Sequence, residues 1–306
     1  MAIFYKKRND DTLHEEKIAK VDFLKWLNES HFGNLALENI VKKKIFSILV
    51  GKYYDMSFSK SKIERFVKKY NINMTEVLRE KISDYVSFND FFTRKLKAGS
   101  REIVSDPNVL VSPADSKLLV DENVNINKMM QIKGSYYTLA ELLIDEKKAK
   151  EYANGCCLVF RLSPTDYHRF HFPDSGKISN TKKIRGDYYS VNPISLNHTA
   201  KVFCKNKRDI STLDSDNFGE ICMIEVGASC VGTIVQTYES QVQGNKGDEK
   251  GYFKFGGSTV ILLLKEGTVE IDKDIIRNSA EGIETQVSLG EKIGVKGKKK
   301  SDSIVL

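Results

Sequence analysis

Ser258 follows Gly256 and Gly257 and precedes the apolar run Val260–Leu264, an arrangement in which a hydroxyl can attack the chain that carries it. Two glycines permit a tight turn that a Cβ would resist, and the apolar run predicts a buried strand anchoring that turn. The hydroxyl can then reach the carbonyl carbon of Gly257. An N-to-O acyl shift would turn the Gly257–Ser258 amide into an ester. β-Elimination would release the Gly257 carboxylate and leave a dehydroalanine, which hydrolyses to a pyruvoyl group at the new N-terminus. Gly-Gly-Ser is also a common loop sequence, so the triplet alone fits a plain hairpin better.

A serine hydroxyl is a poor nucleophile at neutral pH and needs an imidazole base whose tautomer a carboxylate holds in place. The chain has five histidines, His14, His31, His168, His171 and His198. Two of them fall in Leu162–Pro173, bracketed by Pro164 and Pro173, and Asp115 falls in Val111–Leu118. Asp115, His171 and Ser258 fit the roles of orienter, base and nucleophile. In an extended segment the three-residue spacing turns His168 and His171 to opposite faces. The same residues have plainer readings, a structural pair or metal half-site for His-x-x-His and a turn for Ser-Pro-Ala-Asp. No Cys-x-x-Cys or His-Glu-x-x-His accompanies the histidines, so no metal is expected.

Ser112-Pro113-Ala114-Asp115, Asp166-Tyr167-His168-Arg169-Phe170-His171-Phe172-Pro173 and Gly256-Gly257-Ser258 occur in the order found in phosphatidylserine decarboxylases. The chain resembles that pyruvoyl-dependent proenzyme family, in its Gly-Gly-Ser branch. Phe91-Phe92-Thr93-Arg94, Ile132-Lys133-Gly134, Glu225-Val226-Gly227-Ala228, Val231-Gly232-Thr233-Ile234 and Lys246-Gly247-Asp248-Glu249 extend the likeness over residues 85–290. Ser116-Lys117 departs from the glycine that many members carry after the aspartate, and Asn206-Lys207-Arg208-Asp209 matches only loosely. The resemblance implies cleavage between Gly257 and Ser258, giving residues 1–257 and 258–306 as two chains of one heterodimer. It also implies a covalent pyruvoyl group derived from Ser258, and decarboxylation of phosphatidylserine to phosphatidylethanolamine with His168 as the proton donor. Homo-oligomerisation is left open. Competing readings are a pyruvoyl decarboxylase of a small soluble amino acid, an inactive membrane-associated homologue, and a serine hydrolase, the last lacking a Gly-x-Ser-x-Gly elbow.

Composition sets the remaining bounds. With 306 residues, 41% hydrophobic and 29% charged, the chain is expected to be globular, as one large domain or two small ones. Ile45–Val50 and Val260–Leu264 fall well short of the ~18 apolar residues that cross a bilayer, and no signal-peptide pattern opens the sequence. Five cysteines, Cys156, Cys157, Cys204, Cys222 and Cys230, lack framework spacing and read as reduced thiols of a cytosolic compartment. Net charge of +7 fits nucleic acid or an anionic membrane. No nucleic-acid motif is present, so the expected partner is the anionic membrane surface, met peripherally on the cytoplasmic side of the cell membrane.

The expected fold class is α+β, with a helical N-terminal region over residues 1–100 packed on a mainly antiparallel β catalytic domain over 101–306. Ile18, Val21, Leu24 and Leu27, then Ile63, Phe66, Val67 and Tyr70, recur at helical spacing. Ser87 with Asp90 and Thr138 with Glu141 read as capping boxes. In 35–50, Lys42-Lys43-Lys44 adjoins Ile45-Phe46, which suits either a helix in the membrane interface or one packed on the catalytic domain with solvated lysines. Strands are expected at Val109–Val111, Leu118–Val120, Cys157–Leu162, Cys222–Val226, Thr233–Thr237, Thr259–Leu264 and Val269–Ile271. The basic tail from Val295 to Lys300 is expected to be mobile.

Overall fold

The computed structural model describes residues 3–16, 26–132, 135–228, 233–256 and 258–297. An 11-stranded sheet runs in the order Gln243–Gly244, Gly176–Ile178, Arg208–Ser215, Gly219–Gly227, Ser258–Leu264, Cys156–Leu162, Ser116–Asp121, Glu284–Val287, Phe4–Lys7 and His14–Glu15, with Lys182–Ile184 also paired to Arg208–Ser215. All these ladders are antiparallel except the one between Phe4–Lys7 and Glu284–Val287. With the helices below, this is an α+β fold.

Ser258–Leu264 lies deep in that sheet and all seven of its residues are buried. Ile261 and Leu263 enter an apolar cluster with Leu142, Tyr152 and Ile224, whereas Val260, Leu262 and Leu264 enter another with Phe160, Met223 and Ile293. A strand covered on both faces needs an unbroken apolar run rather than an alternating one. The sequence supplies it. The other expected strands also form, three of them extended at their ends: Gly219–Gly227 contains Cys222–Val226, Ser116–Asp121 contains Leu118–Val120, and Cys156–Leu162 contains Cys157–Leu162. Ile234–Gln236 is shorter than expected.

Helices His31–Ala36, Lys44–Asp55, Ser61–Tyr70 and Phe88–Phe92 form the helical region, with a π-helical turn at Leu37–Val41. Its own core is aromatic: Ile63, Val77, Tyr85, Phe88, Phe91 and Phe92. The Ser87 hydroxyl accepts from the Asp90 N–H, but the Asp90 carboxylate reaches past Ser87 to the Val86 N–H, so half of the expected box forms. Both halves form at Thr138 and Glu141.

Two expectations are corrected. The first hundred residues are not uniformly helical, because Phe4–Lys7 and His14–Glu15 join the main sheet. Arg8 fastens that end through Asp272 at 2.8 Å and Asp274 at 2.6 Å. Val295 and Lys296 belong not to a mobile tail but to the strand Lys292–Lys296, paired with Val109–Val111 and Val269–Ile271; Ile293 is fully buried there. Ile18, Val21, Leu24, Cys230, the Val231-Gly232 pair, Lys133-Gly134 and residues 298–306 lie outside the described residues. Among the described residues no helix is long and apolar enough to cross a membrane.

Candidate active site

Ser258 opens its strand, opposite Gly227 on one side and Leu162 on the other. Its residue is fully buried and its Oγ has no hydrogen-bond partner among the described residues. Gly257 lies outside the described residues. Gly256 has φ +147°, a conformation that glycine adopts without the strain a Cβ brings. The segment before the serine is held by the helical region: the Phe255 N–H donates to Asn89 Oδ1 at 2.9 Å, and the Phe255 ring packs 4.4 Å from Tyr54, 5.1 Å from Phe88 and 5.0 Å from Phe92, centroid to centroid.

His168 stands just ahead of the short strand Arg169–His171, which pairs with Glu249–Phe253. Its ring lies 4.2 Å from that of Phe92, and Nδ1 is 2.9 Å from the Asp166 carbonyl oxygen. A carbonyl only accepts, so Nδ1 carries the proton and Nε2 presents a lone pair; that Nε2 is buried and makes no hydrogen bond of good geometry among the described residues. Complete burial pushes the His168 pKa down to about 3, with the nearby Arg94 charge acting in the same direction and the Asp166 and Gly256 backbones opposing. His171 faces other groups. Its ring lies 6.0 Å from Tyr167, and burial pushes its pKa down to about 4 against the opposing charges of Glu249 and Asp115 and the Pro113 backbone. Both imidazoles are therefore neutral at pH 7.

Among the described residues no hydrogen bond joins the side chains of Asp115, His171 and Ser258. The Asp115 carboxylate instead accepts from Arg101 Nε at 3.0 Å and Nη2 at 2.7 Å, and from the Leu289 N–H at 2.8 Å. Its charge still reaches His171. A cavity of about 240 Å³ opens beside Asp115 and is walled by Arg94, Arg101, Asp166, Tyr167 and Gln286 among others, but not by Ser258.

Several residues that shape this site carried no role in the sequence reading. Arg101 holds Asp115; Asn89 and Phe92 hold the chain ahead of Ser258 and the His168 ring. Arg169 ties the histidine strand to the helical region by donating to the Thr93 carbonyl at 2.6 Å, and to the neighbouring strand by donating to Glu249 at 2.8 Å. Phe92 had a legible signal, an aromatic pair in a capped helix. Arg101 had none.

The α+β fold thus carries a water-excluded serine on the 11-stranded sheet and two buried neutral imidazoles at and just ahead of a strand of a separate three-stranded sheet, groups of the kind that can move protons out of contact with solvent. Residues 88–295 match the family model described as phosphatidylserine decarboxylase. The chain is 53% identical to a phosphatidylserine decarboxylase proenzyme of Clostridium tetani (strain Massachusetts / E88), over 97% of this chain and 99% of the relative. It is 51% identical to one of Clostridium beijerinckii, over 94% and 97% of the two chains, and 50% identical to one of Clostridium perfringens, over 92% and 95%. The chain belongs to the phosphatidylserine decarboxylase family. It is a carboxy-lyase, and its reaction is the decarboxylation of phosphatidylserine.

Proposed function

We propose that this decarboxylation runs on a pyruvoyl group that the chain makes from Ser258 by cutting itself between Gly257 and Ser258. The observation that carries the reading is the Ser258 hydroxyl, buried without a hydrogen bond at the head of a strand. Such a group costs free energy and is tolerated where it reacts. The surroundings fit a carbonyl at position 258, being dry, with His168 interacting with the backbone of Gly256 just ahead of it. When present, that carbonyl accepts the electron pair left as carbon dioxide departs.

His171 takes the Ser258 proton during maturation and Asp115 orients and stabilises it; a pKa near 4 leaves its lone pair free at neutral pH. His168 serves turnover. With a pKa near 3 it does not rest protonated, so its Nε2 must first take a proton within the cycle, as from the substrate ammonium, and then return one to the former α-carbon. The Gly256 backbone beside His168 favours a second reading in which His168 is the maturation base. After the cut, residues 258–264 stay paired to Gly227–Ile221 and Leu162–Cys156, which keeps the two chains together.

The lipid substrate takes the protein peripherally to an anionic membrane on the cytoplasmic side. Support comes from the helical region: of seventeen exposed large apolar side chains among the described residues, ten fall between Trp26 and Phe58, and Phe32 and Ile45 are 75% and 72% exposed. Lys42 contributes little, because its ammonium is committed to Glu38 at 2.5 Å and to the Tyr189 hydroxyl at 2.7 Å.

Intact-mass analysis tests the maturation: two chains are expected, the smaller beginning at position 258 and resistant to Edman degradation. One full-length species with an intact serine sinks the proposal. His168→Ala is expected to cleave and yet turn over lipid slowly. An uncleaved His168→Ala beside a cleaving His171→Ala establishes the second reading.

A further inference from the structure

The strand of Ser258 and the short strand that ends in His171 belong to different sheets, and little chain lies between them. Leu162, the last residue of Cys156–Leu162, stands opposite Ser258, and His168 follows six residues later. Ser163 to Asp166 makes a tight turn. The Asp166 N–H donates to the Ser163 carbonyl at 2.8 Å and the Ser163 N–H donates to Asp166 Oδ2 at 2.8 Å, with Pro164 at the second position, where its fixed φ suits a turn. Bonds within the turn fix its shape but not its orientation.

Two contacts outside the turn fix that orientation. Arg161 donates to the Ser163 hydroxyl at 3.1 Å, and that hydroxyl donates to Glu16. Lys117 donates to Asp166 Oδ1 at 2.8 Å and to Oδ2 at 3.0 Å. Lys117 is buried in the main sheet opposite Arg161, which in turn stands opposite Thr259, the neighbour of Ser258. Burial raises the Asp166 pKa, and the Lys117 ammonium is the largest influence opposing it. A buried carboxylate needs such a partner, so Lys117 both keeps Asp166 charged and ties the turn to the sheet that carries Ser258.

The consequence reaches His168, whose Nδ1 bonds the carbonyl of the same Asp166. The direction of that carbonyl sets the tautomer and aims Nε2. The Phe92 ring packs 4.2 Å from the imidazole, but an apolar ring does not tell one nitrogen from the other. The Gly256 backbone also favours a proton on this imidazole, so a loosened Asp166 carbonyl would let the proton settle on Nε2 and remove its lone pair. Resting on the role given above to His168, we propose that Lys117 is a positioning residue for the reaction: by clamping the Asp166 carboxylate it aims the Asp166 carbonyl, which holds His168 with its proton on Nδ1 and its Nε2 lone pair free.

The test combines Lys117→Met with Asp166→Asn in the full-length chain, which removes both charges and leaves no buried ion unpaired, beside Lys117→Arg and wild type. Cleavage is scored by intact mass, and turnover on dihexanoyl phosphatidylserine below its micelle concentration. The combined variant is expected to cleave, with kcat down about 10- to 100-fold, as a misplaced group costs, and KM within about threefold. Lys117→Arg keeps the ion pair and should stay within about threefold of wild type in both. In a His168→Ala background the combined change should cost less than about threefold more, because a residue acting through His168 has nothing left to act on. Ring nitrogen shifts of histidine-labelled protein at neutral pH report the tautomer, on the uncleaved Ser258→Ala chain so that all variants share one state, with His168 identified by its absence from the His168→Ala spectrum. They should show Nδ1–H alone in wild type and Lys117→Arg, and a mixture in the combined variant. An unchanged kcat, a rise in KM alone, an equal further loss without His168, or an unchanged tautomer overturns the proposal. An Nε2–H tautomer in wild type overturns it before any variant is made, and failure of the combined variant to fold overturns it as well, since the pair would then serve stability. Slow cleavage together with the tautomer change would support the clamp while moving His168 to maturation. A His168→Ala protein that turns over lipid at the wild-type rate would instead sink the role given to His168, with the tautomer still deciding whether Lys117 sets the ring.

Discussion

The chain is held by different means on the two sides of Ser258. From Ser258 to Leu264, two antiparallel ladders and two apolar clusters enclose every residue. Between Phe253 and Gly257 the grip is mostly of side chains, beside one backbone bond from the Lys254 N–H to the Thr233 carbonyl at 3.2 Å: Asp55 pairs with Lys254 at 3.2 Å, Asn89 accepts from the Phe255 N–H, and Tyr54, Phe88 and Phe92 surround a half-buried Phe255. Backbone ladders resist rearrangement cooperatively, whereas individual side-chain contacts can let go singly. A cut between the two leaves the serine's strand in place and allows the preceding segment to move aside.

The largest expected effect breaks the chemistry without touching either anchor. Asp115→Ala and His171→Ala should slow cleavage by ~10²- to 10⁴-fold, followed as the disappearance of full-length protein with time. Normal maturation of both variants would remove them from the mechanism.

Substitutions on the two anchors sharpen the contrast directly. Leu262→Ala should destabilise the fold by about 2–5 kcal/mol, as a fully buried leucine does. Phe255→Ala should cost roughly 1–2 kcal/mol, being only half-buried, while slowing cleavage. Urea unfolding of both, on an uncleaved Ser258→Ala background, decides it. Equal losses would show that the two anchors form one cooperative unit.

Acid acts at the junction through His168. Between its folded pKa near 3 and the ordinary 6.5, the unfolded chain binds a proton that the folded chain refuses. The stabilisation is therefore full above about 6.5 and lost as pH falls towards 3, amounting to about 2 kcal/mol between pH 7 and 5. His168→Gln should flatten the pH dependence of stability by that amount. An unaltered profile would mean that the ring is not as dry as its burial indicates.

The smallest effect concerns the outer surface of the helical region. Flotation with anionic liposomes should weaken, without vanishing, as salt rises, because exposed charges are screened beyond ~8 Å at physiological ionic strength while Phe32, Leu35, Ile45 and Leu49 still insert. Complete release by salt would deny the apolar contribution, and equal binding to neutral vesicles at every salt would deny the electrostatic one.

Much of this was readable residue by residue wherever the cause is local. Val260–Leu264 had to be a doubly covered strand because an uninterrupted apolar run satisfies itself only there, and Thr138 with Glu141 had to open a helix because their side chains complete the first turn's hydrogen bonds. The order of the Asp115, His168–His171 and Gly256–Ser258 segments pointed to the family, since the three motifs in that order resemble it. The fold alone brought Phe4–Lys7 to the edge of the main sheet, laid Asp115 on Arg101, set Phe255 among the aromatic rings of the helical region and paired Lys117 with Asp166. Those outcomes join residues far apart in the chain, and a side chain's partner across such a distance depends on how the elements stack, which no local pattern of residues encodes.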